Sequence, residues 1–255
     1  MVKNTSNLIV HISSQQFSFE LPGKIWKIVS ATNDSKLVAE VREESEMVVS
    51  YYLIDLEKHE THGFNPKEVD WWSSILIYRA PYLLLENFLD PQNPLNKQLI
   101  VYHIYKKENM KVIDNFQFQS WDTDLIRGHT SGKPHELHEI TLNPNINKTS
   151  QFNFPLQFDR GSSSHHMVAD FLETEPEKLP SVEYLEYQDH IIICYYVRLG
   201  TKFARKLLIL KGDSELCHLV IDEEMSGFAA GSFFVQDQTL IYVEKSRFLN
   251  GIILN

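Results

Sequence analysis

The sequence predicts an all-β fold assembled from repeated four-stranded units, and three observations carry that expectation. The chain repeats itself. Trp26-Lys27-Ile28-Val29 leads, ten residues on, into Lys36-Leu37-Val38-Ala39-Glu40, and Trp72-Ser73-Ser74-Ile75 leads by the same interval into Tyr82-Leu83-Leu84-Leu85-Glu86, an offset of 46 residues between the copies. A period of that size marks a radial or stacked repeat. The apolar positions come in short runs or in alternation, broken by Asn, Asp, Ser and Gly, which is the pattern of strands and turns and not of amphipathic helices. The composition agrees, since 15 Phe, 11 Tyr and 4 Trp suit a pleated, half-buried surface.

The first unit reads as strands near 25–31, 36–42, 47–55 and 59–64, joined by Thr32-Asn33-Asp34-Ser35, Glu43-Glu44-Ser45-Glu46 and Glu57-Lys58. Asn, Asp and Ser side chains bond the nearby backbone and so favour turns. The second unit repeats the order near 72–79, 82–88, 97–106 and 110–116, with a longer loop at Asp90-Pro91-Gln92-Asn93-Pro94-Leu95-Asn96. An insertion in a surface loop costs little. A later unit lies near 181–187, 190–198, 203–211 and 215–222, with Ile191-Ile192-Ile193-Cys194-Tyr195-Tyr196 as its second strand and Gly212-Asp213 in a hairpin turn. The C-terminal run starts another unit at 232–236, 239–245 and 251–254 and does not complete it. Residues 8–12 and 17–21 read as a hairpin whose strands would complete that last sheet and remove an open edge. Residues 117–180 fit worst, because Gly128, Gly132, Pro134, Pro144, Pro155 and Gly161 interrupt the pattern. Strands near 137–142, 151–158 and 166–172 make this a divergent, loop-rich third unit.

Repeated four-stranded meanders with an overlapping closure resemble a β-propeller. The resemblance implies one domain over residues 1–255, with about five blades and with the N-terminal strands completing the C-terminal blade. The Gly-His and Trp-Asp pairs of WD repeats and the Gly-Gly of kelch repeats are absent, and Trp121-Asp122 stands as a lone dipeptide before an expected first strand. The chain is similar in character to propeller-like families of the Bacteroidetes, which implies a bacterial protein of unassigned role. The alternative is two unequal all-β domains with a boundary inside 117–180.

Charge narrows the partners. The net charge is −10, from 24 Lys and Arg against 34 Asp and Glu. That disfavours nucleic acid, whose partners carry basic stripes, and docking on an anionic membrane. No signal-like apolar run opens the chain and no stretch is long enough to span a bilayer, so the expectation is a cytoplasmic protein. Cys194 and Cys217 fall in the second and fourth strands of one unit, about two strand spacings apart, beyond disulfide reach. They are expected as buried thiols.

Propeller resemblance implies a ligand at the mouth of a central channel, on the face shared by the entries to first strands and the exits of second strands. Trp26, Trp71, Trp72 and Trp121 fall at or just before first strands, Glu40, Glu86 and Glu244 at the ends of second strands, and Asp122 beside Trp121. Flat rings beside acids suit a sugar-like or cationic small molecule, or a protein partner. Against this, each Trp could fill the gap between adjacent units and each Glu could be a solvated strand end. The expected function is binding or scaffolding, with no cofactor, no metal and no catalytic residue assigned. The alternative is a glycosidase-like enzyme using two of Asp70, Asp122, Asp124 and Glu86 as acid and base, roughly 5–10 Å apart. No nucleophile elbow, phosphate loop or His-Glu-x-x-His motif is present. His129, His135, His138, His165 and His166 crowd one region and could join Asp122, Asp124 or Asp170 on a metal, or simply form an exposed polar loop. The acids of 170–189 read either as a docking surface or as a solvated face.

Overall fold

Strands that are apolar at every position, such as Leu83-Leu84-Leu85 and Ile191-Ile192-Ile193, must be covered on both faces, because successive side chains point to opposite sides of a sheet. That requirement organises the molecule. The computed structural model describes residues 15–90, 92–144, 149–228 and 231–255, which form five antiparallel sheets. The chain divides into two compact units. A central unit is Leu21–Gln151; a terminal unit combines the N-terminal residues through Glu20 with Phe152–Asn255. Strands are numbered in chain order from β1 (Gln15–Glu20), which belongs to the terminal unit.

In the central unit the first sheet is β2 (Lys24–Ser30), β3 (Lys36–Glu43), β4 (Val48–Asp55) and β5 (Glu60–Phe64). The second is β6 (Ser73–Arg79), β7 (Tyr82–Phe88), β8 (Lys97–His103) and β9 (Glu108–Asp114). The third has three strands, β10 (Phe116–Asp122), β11 (Leu125–Thr130) and β12 (Lys133–Thr141). Each is a meander in which sequence neighbours pair. Val38, Tyr51 and Leu53 of the first sheet share a core with Leu83, Leu85, Ile100 and Tyr102 of the second. Leu84, Leu99 and Val101 point the other way, into a core with Phe116, Trp121, Ile126 and Ile140 of the third sheet. The second sheet is therefore covered on both faces. Leu83, Leu84 and Leu85 are all fully buried, each contributing about 2 kcal/mol of apolar transfer free energy.

In the terminal unit, β13 (Phe152–Asn153) and β14 (Leu156–Phe158) are short strands on either side of Pro155. They are followed by α1 (Ser163–Phe171) and a 3-10 turn, Pro176–Lys178. Then come β15 (Val182–Tyr187), β16 (His190–Leu199), β17 (Lys202–Lys211), β18 (Ser214–Met225), β19 (Phe233–Gln236), β20 (Thr239–Glu244) and β21 (Phe248–Ile253). The fourth sheet runs β14-β15-β16-β17-β18 and the fifth β1-β21-β20-β19-β13. Ile192 and Cys194 face the fifth sheet, packing with Val235, Leu240 and Ile252. Ile193 and Tyr195 face α1, packing with Val168, Ala169 and Leu179. The isoleucine run is thus covered by a sheet on one side and a helix on the other.

Most expected strands of the three clear units and of the C-terminal run appear within a few residues of their expected bounds. β1 pairs antiparallel with β21, so the strand expected near 17–21 does join the last sheet. The strand expected at 8–12 lies outside the described residues. Residues 117–180 require correction. Strands β10 and β11 went unexpected, since a bulge between Phe118 and Ser120 breaks the alternation. Gly128 looks like a breaker, yet it lies opposite Phe118 in the ladder, and a Cβ there would sit 2.3 Å from the Phe116 ring. The strand expected at 166–172 is helix α1. Ser162 caps it through Oγ, accepting from His165 N–H at 3.2 Å. His165, Val168, Ala169 and Leu172 recur at helical spacing and form its inner face.

Cys194 and Cys217 are free, buried thiols on β16 and β18 with β17 between them. Burial pushes each thiol up to about 12. Among the described residues no helix is long and apolar enough to cross a membrane.

Candidate functional site

Edge strands expose unpaired backbone groups, and β6, the first strand of the second sheet, is such an edge. Its Ile75 is served by side chains of the first sheet. Glu40 Oε2 accepts from Ile75 N–H at 2.9 Å and from Ser74 Oγ at 3.1 Å, while Lys27 Nζ donates to Ile75 carbonyl O at 2.6 Å. Glu40 is wholly buried. Its other oxygen takes Nε and Nη2 of Arg42 at 2.8 and 2.6 Å. A buried carboxylate is tolerated when paired and fully hydrogen-bonded, and Glu40 meets both conditions. Arg42 also donates through Nη1 to Trp71 carbonyl O at 2.6 Å and through Nη2 to Ser73 carbonyl O at 2.7 Å.

The Arg42 guanidinium lies against two indoles, 5.1 Å from the Trp26 ring centroid and 5.0 Å from that of Trp71. Lys24 adds a second cation 5.5 Å from Trp26. Contacts at these distances are cation–π in character. Trp26 sits where β2 bulges, between Ile25 and Lys27 in the ladder, and remains 56% exposed. Trp72 is 45% exposed, and its backbone N–H donates to Asp70 Oδ1 at 2.8 Å. Tyr51, opposite Glu40 in the ladder, is buried beside this cluster and its hydroxyl has no hydrogen-bond partner among the described residues. Burial, reinforced by the charge of Glu40, pushes the Tyr51 phenol far above its ordinary range.

The structure thus brings Trp26, Trp71 and Glu40 together around Arg42, with Trp72 next in sequence to Trp71. The remaining expected site residues are held elsewhere. Trp121 is buried near the end of β10, not before a first strand, because that strand starts earlier than its bulged pattern suggests. Arg79 stacks on it at 5.2 Å. Asp122 is exposed and pairs with Arg127, and Glu86 pairs with Lys97 at 2.5 Å. Glu244 belongs to the terminal unit, 3.4 Å from Lys245 Nζ. Arg42 and Lys27 were missed as site residues. The signal was present: Glu40 and Arg42 are two apart in a strand and so share a face.

A second polar junction ties the same two sheets at the opposite strand ends. Asp34 Oδ2 accepts from Tyr78 OH at 2.7 Å and Tyr105 OH at 2.9 Å, and Lys36 Nζ lies 3.5 Å from Asp34 and 3.7 Å from Asp55. Burial alone would lower the Lys36 ammonium, but Asp34, Tyr105 and Asp55 outweigh it and raise it.

The histidines do not converge. His138 Nε2 lies 2.8 Å from Thr130 Oγ1, His165 is buried with Nε2 2.7 Å from Leu179 carbonyl O, and His166 faces outward. Among the described residues no group of three or more His, Cys, Asp and Glu side chains is placed to hold a metal ion.

No family model matches the chain, and no curated protein matches it. Among solved structures it is similar to the β-propeller domain of the Trilobed protease from Pyrococcus furiosus, described as having an open velcro topology. That likeness has 12% identity over 88% of this chain and 79% of that one, with a TM-score of 0.35. Kuenenia stuttgartiensis hydrazine synthase is similar at 9% identity over 89% of this chain and 79% of that one, with a TM-score of 0.26.

Proposed function

We propose that this chain is a non-enzymatic binding module, its five sheets acting as blades of a propeller, with a ligand surface at Trp26, Trp71 and Trp72. The observation that carries the reading is the exposed indole of Trp26 and the partly exposed indole of Trp71, both held against Arg42, which the buried Glu40 fixes in place. Exposed aromatics that cluster mark binding surfaces more than scattered ones do. Covering a half-exposed indole removes about 100 Å² from water, worth roughly 2–3 kcal/mol. Because Arg42 is locked by Glu40, Trp71 and Ser73, the rings are positioned before a ligand arrives, which lowers the ordering cost of binding. An exposed indole with Lys24 beside it suits the ring face of a sugar.

The glycosidase-like alternative needs two carboxylates facing one cleft. Asp70 is engaged by a backbone N–H, Asp122 by Arg127 and Glu86 by Lys97, and these separate engagements favour binding over catalysis.

Two of the four tryptophans lie against Arg42 and a third, Trp72, adjoins Trp71 in sequence, so intrinsic fluorescence reports on this surface. Neutral oligosaccharides of gluco-, xylo- and chito-type are expected to shift this emission, and Trp26→Ala to abolish the shift while leaving urea stability within about 1 kcal/mol. A panel without any binder, or a binder indifferent to both Trp26→Ala and Trp72→Ala, would remove the proposal.

A further inference from the structure

Helix α1 covers one face of the fourth sheet with His165, Val168 and Ala169. Its outer face is not polar. Met167 is 65% exposed and Phe171 56% exposed. Four residues apart on a helix, they are neighbours one turn along the same face and form one apolar patch. The charged groups that follow on the chain are mostly acidic. Asp170 lies in the last turn, Glu173 and Glu177 follow, and none of the three has an ion-pair partner among the described residues; Lys178 is held by Glu175 at 3.0 Å. No basic residue occupies the last turn of α1. The C-terminal end of a helix carries partial negative charge and favours cations, so Asp170 and Glu173 add like charge where the helix already has it. In the isolated chain this arrangement is unfavourable, and a cationic partner would relieve it.

We propose that the outer face of α1 is a docking surface for a basic amphipathic segment of another protein, whose apolar side chains cover Met167 and Phe171 and whose Lys or Arg residues face Asp170, Glu173 and Glu177. An exposed Met beside an exposed Phe adapts to varied apolar anchors, and the acid rim selects the charge of what carries them. The surface is independent of the tryptophan cluster, so either reading stands or falls without the other.

The test uses the full chain and a dye-labelled amphipathic peptide of about four helical turns made of Leu and Lys, followed by fluorescence anisotropy. A Leu and Glu peptide of the same pattern is the control. The Lys peptide is expected to bind and the Glu peptide not to. Met167→Gln with Phe171→Gln should weaken binding at least about tenfold, as loss of central anchors does. Asp170→Asn with Glu173→Gln and Glu177→Gln should weaken it several-fold and flatten its salt dependence. All five side chains lie on the surface, and an unchanged circular dichroism spectrum confirms that the variants fold. Equal binding by wild type and both variants would overturn the proposal. So would self-association of the wild type that the Met167→Gln, Phe171→Gln variant abolishes, because the occupant would then be a second copy of this chain.

Discussion

The two units each tie one sheet to the next with a buried carboxylate, and they surround that carboxylate differently. In the central unit Glu40 holds Ile75 N–H of β6. In the terminal unit Glu183 holds Gly231 N–H at 2.6 Å and Ser232 N–H at 3.1 Å, just before β19. Arg42, the partner of Glu40, is flanked by indoles and reaches the surface, its side chain 11% exposed. The terminal unit instead buries Arg205 together with Asp222, and Arg205 also donates to Ser232 Oγ at 3.1 Å and Val243 carbonyl O at 2.9 Å. One device serves both units as a fastener. In the central unit it also props an aromatic surface open to solvent; in the terminal unit it is sealed.

That difference predicts different sensitivities. The largest effect is expected for Asp222→Ala, which strands the Arg205 charge in the interior and should cost about 3–5 kcal/mol in urea unfolding. Replacing both members with apolar residues, Arg205→Met with Asp222→Leu, should recover most of the loss. Glu40→Ala should cost less, about 2–4 kcal/mol, because Arg42 can turn toward water while Ile75 N–H is left unpaired. Equal losses at the two sites would break the comparison.

A smaller pair of effects tests two places where a ring lies over a glycine of the neighbouring strand. A Cβ at Gly251 would lie 2.3 Å from the Phe17 ring, and one at Gly128 would meet Phe116 at the same distance. Gly251→Ala and Gly128→Ala should each cost about 1–3 kcal/mol through overpacking. The first weakens the β1–β21 pairing that fastens the N-terminal strand; the second distorts the three-stranded sheet. Limited proteolysis should then cut near β1 in Gly251→Ala and not in Gly128→Ala.

The smallest effect concerns pH. Burial lowers His103 in the central unit and His218 in the terminal unit below the ordinary imidazole range. Folded forms that resist protonation bind fewer protons than the unfolded chain. Their contribution is therefore complete above the unfolded value, about 6.5, and is lost as pH falls through the folded values. Urea midpoints should drop between pH 7.5 and 5.5, and His103→Phe with His218→Phe should flatten that drop. His218 also sits with Nε2 2.7 Å from Tyr195 OH, so Tyr195→Phe separates burial from hydrogen bonding at that position.

The legibility of the fold varies along the chain for physical reasons. β3, β7 and β16 were evident because their apolar runs are buried on both faces, and turns such as Thr32-Asn33-Asp34-Ser35 use side chains that bond locally. Helix α1 reads as a strand in the sequence because its inner face contains a histidine, which hides the helical period until His165 is known to be buried. The tryptophans stand out by position, but whether an indole stacks outward, as Trp26 does, or fills a core, as Trp121 does, depends on neighbours distant in sequence.

The all-β class, the repeat of four-stranded meanders and most strand bounds are legible in the residues alone, because period-two burial and turn chemistry act between residues close along the chain. Tertiary packing, by contrast, selects the partner of each buried polar group: Glu40 grips Ile75 N–H, Arg42 reaches the Trp71 and Ser73 carbonyls, and Glu183 rather than another acid grips Ser232. Those outcomes depend on which sheet faces which, and the free energy that selects them comes from contacts between residues roughly 30–50 positions apart, which no local pattern encodes.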